Sequence, residues 1–269
     1  MFDYLLILAL LLLPVLISKM KTSRKGLVIG LFVSLFFWGR LNPLLSFIPA
    51  GAAIVIFLSD RPKRIPKEDR IHIKRPSLPM FVVFLTSMTI FTAFGDSFIN
   101  YGQYLNLSRD TLFASEQWDN LACLLGPLLL GNWCDRKGPF GAAIFLTLLS
   151  EVSVWMAGNA ETSNTLFIVG SFSVHLCISG FFVLMPVITS VFFGENHFLH
   201  TYPAIALFTA AIWTGTRLLY LHNWQTNYNP GSLLISLLLL TIVSAIFIFI
   251  AWRRRFVLVK NDPLLEKQG

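Results

Sequence analysis

Apolar residues in this chain come in long unbroken runs, separated by short polar stretches. The runs cover residues 4–18, 27–39, 43–58, 79–103, 119–133, 140–158, 164–192, 199–220 and 232–252. Many of them approach the ~20 residues that a helix needs to cross the hydrocarbon core of a bilayer. None alternates with the period of two that a membrane β-barrel strand requires. The pattern predicts an all-α, polytopic membrane bundle of about nine transmembrane helices.

Composition agrees with that class. Hydrophobic residues make up 55% of the 269 positions and charged residues 13%, about half the charged share of a soluble domain. The polar stretches divide into two sets. Residues 19–26, 59–78 ("SDRPKRIPKEDRIHIKRPSL"), the Asp135-Arg136-Lys137 triplet and the tail from Arg253 are basic. Residues 40–42, 104–118, 159–163 and 221–231 are poor in Lys and Arg. The loop 193–198 has neither residue, and parity puts it with the basic set. Placing the basic set in the cytosol leaves only Arg40, Arg109 and Arg217, of 21 Lys and Arg, at or near the outside. Positive charge stays on the cytoplasmic side of membrane proteins, so the N-terminus is expected outside and the C-terminus inside.

The same distribution changes what the net charge of +7 means. The basic residues mark topology, and nucleic acid is not an expected partner. Cys123, Cys134 and Cys177 lie in or beside apolar runs and give neither a disulfide framework nor metal-ligand spacing. No cofactor is expected. Residues 4–18 are followed by Lys19, Lys21, Arg24 and Lys25, and Asp3 stands where a signal peptide would carry positive charge. They read as an uncleaved first helix. Residues 27–58 are long for one helix and short for two. A turn at Arg40-Leu41-Asn42-Pro43 favours a short hairpin, since one steeply tilted helix would carry Lys19 to Lys25 to the outer side. Prolines at 62, 66, 76 and 79 discourage a single helix through the linker 59–78.

One charged triplet stands out against its surround, in "LLLGNWCDRKGPFGAAIFL" at 128–146. Asp135 is expected to cap the helix that starts near Phe140. Arg136 is expected to pair with an acid or anchor in lipid headgroups. Gly131 and Gly138 allow close packing and a sharp turn. Gly131 to Gly138 reads G-x-x-x-D-R-x-G, which resembles the cytoplasmic-loop signature of the major facilitator superfamily. The tract "FFGENHFLHTYP" loosely resembles an FG-containing turn of some members. Pro139 and Phe140 depart from the basic residues that often follow the signature.

The resemblance implies a domain plan. Residues 79–252 look like a complete C-terminal six-helix half and 1–58 like a truncated N-terminal half of about three helices. Residues 59–78 are then the cytoplasmic linker and 253–269 a cytoplasmic tail. It implies alternating access for a small solute, with Asp135 and Arg136 latching the two halves on the cytoplasmic side in one state. The absent helices imply either a partner chain that supplies them or a transport-inactive scaffold or regulatory subunit.

Polar residues inside apolar runs are costly in lipid and usually face a cavity. Asp96, Asn100 and Gln103, spaced i, i+4, i+7, are expected on one helix face, as substrate contacts or as a polar outer lip. His175 is a candidate proton carrier or a histidine satisfied by a neighbouring Ser. Glu151 is a candidate partner for His175. Arg217 is expected to bind an anionic solute or to snorkel to the interface. Glu116, Asp119 and Asn120 read as helix-start residues or an outer cation-attracting mouth, and Trp118, Trp133, Trp213 and Trp224 as an aromatic belt. Asn106-Leu107-Ser108 is a glycosylation sequon on an outer loop. A Glu151 and His175 enzyme lacks any further catalytic set, so no enzyme is expected. Proton-coupled transport through Asp96, His175 or Glu151 is the leading expectation.

Overall fold

The computed structural model describes residues 27–31, 33–34, 78–193, 195–225, 234–246 and 249–250. The expected first helix 4–18, the second arm of the hairpin, the linker up to residue 77 and the tail 253–269 lie outside the described residues. Among the described residues the regular structure is helical throughout, with no strand.

The elements in chain order are α1 (Leu78–Asp96), α2 (Phe98–Tyr104), α3 (Arg109–Lys137), α4 (Pro139–Gly158), α5 (Asn164–Phe193) and α6 (Glu195–Gln225). A shorter apolar helix, α7 (Leu234–Ile246), follows. A single 3₁₀ turn, Ala160–Thr162, joins α4 to α5. Helices α4 and α5 are each long and apolar enough to cross a membrane, and α1 with α2 makes a third candidate if the bent pair is one span.

Helix ends follow local chemistry. Ser108 caps α3 by accepting a hydrogen bond from the Thr111 backbone N–H at 3.3 Å. Asp110 sits in the first turn of that helix, and Arg136 and Lys137 in its last, each complementing the helix dipole. Hydropathy placed the start of this helix at 119, whereas it begins at Arg109. Its first turns are polar and helical together, so the expected loop 104–118 shrinks to a few residues. Pro139 opens α4 at a first-turn position, where its missing N–H costs nothing. Gly138 alone makes the turn between α3 and α4, at φ 81°, a conformation that glycine adopts without strain.

Helix α5 is buried along most of its length and packs against α1, α3, α4 and α6. Its contact with α3 is the most extensive among the described helices. The two run parallel and close: a Cβ on Gly126 would overlap Ser179 and lie 2.7 Å from the Leu176 carbonyl oxygen. A Cβ on Gly180 would lie 2.8 Å from Leu130. Small residues permit such approach where helices have only packing and hydrogen bonds to associate through. Several buried hydroxyls are satisfied inside their own helices. Thr89 donates to Leu85 O at 2.6 Å, Thr92 to Met88 O at 2.7 Å and Thr189 to Met185 O at 2.7 Å, which removes the cost of a bare polar group.

Residues 27–31 and 33–34 are helical and lie antiparallel along α3. A Cβ on Gly30 would overlap the Pro127 carbonyl oxygen, and Ser34 Oγ donates to Leu124 O at 3.1 Å.

Candidate functional site

Two faces of α5 have different tasks. Gly170 and Cys177 turn toward α4, against Met156 and the Leu146 carbonyl. Ser171, His175 and Ser179, four residues apart, turn toward α3. Ser179 Oγ donates to the Ala122 carbonyl of α3 at 3.3 Å. Ser171 Oγ donates to the Asp119 carboxylate, lying 2.7 and 2.8 Å from its two oxygens. His175 Nδ1 lies 3.2 Å from Asp119 Oδ1 and 3.0 Å from the Ser171 carbonyl oxygen. Ser115 completes the cluster, its Oγ 3.5 Å from Asp119 Oδ2.

This geometry assigns the proton on the imidazole. Both neighbours of Nδ1 are acceptors, so Nδ1 carries hydrogen. The atom that gains or loses a proton is therefore Nε2, which has no hydrogen-bond partner among the described residues. The His175 side chain is 18% exposed and that of Asp119 8%.

The sequence names Asp119 as a helix-start or outer-mouth residue and does not foresee its pairing with His175 and Ser171. It was placed at the start of a helix, but α3 begins at Arg109 and Asp119 lies buried in its third turn. A legible signal existed in the stripe Ser115, Asp119, Ala122, Gly126, which recurs at helical spacing with small or polar side chains. The expected Glu151–His175 pair does not form. Glu151 belongs to α4, whereas α5 directs residue 175 toward α3, and the carboxylate beside the imidazole is that of Asp119.

Asp96, Asn100 and Gln103 do not share one continuous helix face. The helix breaks at Ser97 and bends by 53° between its two parts, leaving Asp96 at the end of α1 and the other two in α2. The break redirects Asp96. Its carboxylate lies 3.9 Å from Arg217 Nη1 of α6, each side chain about one-third exposed. The Arg217 guanidinium also sits over the Trp213 ring, 5.1 Å from its centroid, so this tryptophan has a use beyond the aromatic belt. Neighbouring Gly95 packs against Val174 and Ile178, on either side of His175. The result is a line of alternating charge across four helices: Arg217, Asp96, His175, Asp119. All four are named from the sequence, each in a different connection, and the fold brings them together. Among the described residues no group of three or more His, Cys, Asp or Glu is placed to hold a metal ion.

A second polar contact lies at the opposite end of α3. Asp135 falls inside the last turn of that helix, and α4 has no side-chain cap, which corrects the expected capping of the Phe140 helix. The Asp135 carboxylate instead accepts the Leu27 backbone N–H at 2.8 Å, across 108 positions of sequence. A carboxylate accepting a backbone N–H makes a charge-assisted hydrogen bond, of the stronger class. Arg136 and Lys137 are exposed beside it, and Gly131 is buried in α3. Helix α6 begins at Glu195, inside the expected 193–198 turn. No family model matches this chain, and no curated protein is significantly similar to it.

Proposed function

We propose that this protein is a secondary transporter of the major facilitator type, moving a small solute through a lipid bilayer by alternating access, with proton coupling. The observation that carries the reading is the Asp135–Leu27 hydrogen bond. It joins the two expected halves through the acidic residue of the G-x-x-x-D-R-x-G stretch, at the helix end that the charge pattern assigns to the cytosol. A charge-assisted contact of this kind can exist in one arrangement and be absent from the other. The charged line at the other end of the bundle supplies the second requirement, ionisable groups inside the helices with partners in reach. Apolar side chains exposed on α4 and α6, among them Leu148, Val152, Trp155, Leu207, Leu218 and Leu219, suit a surface that faces acyl chains.

Spin labels test this. With Cys123, Cys134 and Cys177 replaced by Ala, labels at Leu27→Cys and Lys137→Cys are expected to report two distances in reconstituted vesicles. Asp135→Ala is expected to enlarge the longer population. A single distance that ignores Asp135→Ala, together with no solute flux, belongs to a transport-inactive scaffold.

A further inference from the structure

The charged line has an arithmetic of its own. Arg217 carries a permanent positive charge, Asp96 and Asp119 carry two negative ones, and His175 contributes either none or one. Asp96 stands between two suitors. On one side is Arg217, at 3.9 Å, too far for a hydrogen bond. On the other is α5 at His175, whose flanking Val174 and Ile178 pack on Gly95, the residue before Asp96. The Arg217 guanidinium makes no hydrogen bond to any described residue. Its planar fork of five N–H donors matches a carboxylate or phosphate, and Trp213 holds it in place.

We infer, resting on the transporter reading above, that Asp96 is exchanged between Arg217 and His175, and that the solute is a small oxyanion taken up with one proton. When Nε2 of His175 is unprotonated, Asp96 neutralises Arg217 and the guanidinium is closed to anions. When Nε2 gains a proton, the imidazolium, already paired with Asp119 through Nδ1, draws the Asp96 carboxylate away. Arg217 is then open to the oxyanion. The site bears one net negative charge before the exchange and one after it, because proton and monoanion enter as a neutral pair. Ser171 and Asp119 are positioning residues, since their hydrogen bonds keep Nδ1 protonated and direct Nε2 away from α3.

The groups around His175 are consistent with this assignment. Helix α3 presents Asp119 with Ser115, α1 presents Asp96, and α6 reaches the site through Arg217. From α4 no titratable group pairs with the imidazole, and Glu161 of the 3₁₀ turn acts on Tyr101 instead.

The test uses the full chain in phosphatidylcholine vesicles, with lactate and methanesulfonate, both monoanions throughout pH 6 to 8, as separate probes. Trp213 fluorescence reports binding, against a Trp213→Phe control, and a pH dye in weak buffer reports protons. Binding of either probe is expected to take up about one proton per anion and to weaken at least tenfold as pH rises from 6 to 8. Arg217→Gln is expected to abolish the signal, and Arg217→Lys to restore part of it. His175→Gln should leave any residual anion binding independent of pH, with no proton uptake. Anion binding that survives Arg217→Gln, or proton uptake that survives His175→Gln, overturns the inference. A fluorescence change driven by exchanging phosphatidylcholine for phosphatidylglycerol, and not by soluble anion, assigns Arg217 to lipid headgroups and also overturns it. Flux of a cationic or neutral solute that ignores both variants overturns the inference while leaving the transporter reading in place.

Discussion

Asp119 is a buried carboxylate, and burial of a charge is tolerable only when its oxygens are occupied. Ser171 Oγ contacts both of them and His175 Nδ1 contacts one. Hydrogen bonds to a charged group are the strong class, so Ser171→Ala is expected to destabilise the folded chain by about 1.5–3 kcal/mol. Thermal unfolding in detergent measures this, with Ser173→Ala as control, since Ser173 only back-bonds to Val169 O in its own helix. Equal melting temperatures for the two variants would show that the Asp119 cluster is not a stabilising centre. None of this was visible from position 119 alone. An Asp at the edge of an apolar run looks like a cap, and only the true start of the helix, ten residues earlier, turns it inward. The signals for that start were present: Ser108 followed by Asp110 in the first turn is an N-terminal pattern. Hydropathy outweighed them because Arg109, Asp110 and Glu116 make those turns read as loop.

The close crossing of α3 and α5 positions the site, and two glycines set how close it is. At Gly126 an added methyl meets the Leu176 carbonyl oxygen at 2.7 Å, and backbone of a buried helix cannot move aside cheaply. Gly126→Ala is expected to cost about 1–3 kcal/mol, the usual penalty of overpacking. Gly141→Ala is the matched control. There a Cβ finds only ordinary contacts, Trp133 at 3.6 Å and Lys137 at 3.7 Å, and helix propensity favours Ala by up to about 1 kcal/mol. A melting series that ranks Gly126→Ala at or above wild type would remove the close crossing from the account. At this scale much was legible in the hydropathy pattern. The runs 140–158 and 164–192 match α4 and α5 nearly end to end, because those helices are apolar along their whole length and bounded by Gly138, Pro139 and Asn159. Run 79–103 concealed a break, since Gly95-Asp96-Ser97 interrupts the hydrogen bonding of a helix without interrupting its hydrophobicity. Pairing between helices was not legible at all. Nothing local to Asp96 or Arg217 points to the other, 121 positions away.

At the scale of the molecule the reading turns on which side of a bilayer each helix end occupies. Helix α4 has 20 residues, and at 1.5 Å per residue it spans about 30 Å, the thickness of the hydrocarbon core. If it crosses, Gly138 and Asn159 must emerge on opposite sides. The exposed Arg136 and Lys137 sit at one end, and the opposite end carries Glu161 and no basic residue. Moving basic groups across is the costlier option, so the Arg136 end is expected in the cytosol. The Asp135–Leu27 contact then closes the cytoplasmic side, and the Arg217–Asp96 pair lies toward the outer side, where a solute would arrive. A membrane-impermeant maleimide tests this on single cysteines in a cysteine-free background. Arg136→Cys is expected to label only in inside-out vesicles, and Glu161→Cys only in right-side-out vesicles. Labelling of both from one side would show that α4 does not span, and the two-sided arrangement of latch and charged line would go with it. Labelling with the sides reversed would keep the crossing but put the latch outside, against the gating role proposed for Asp135.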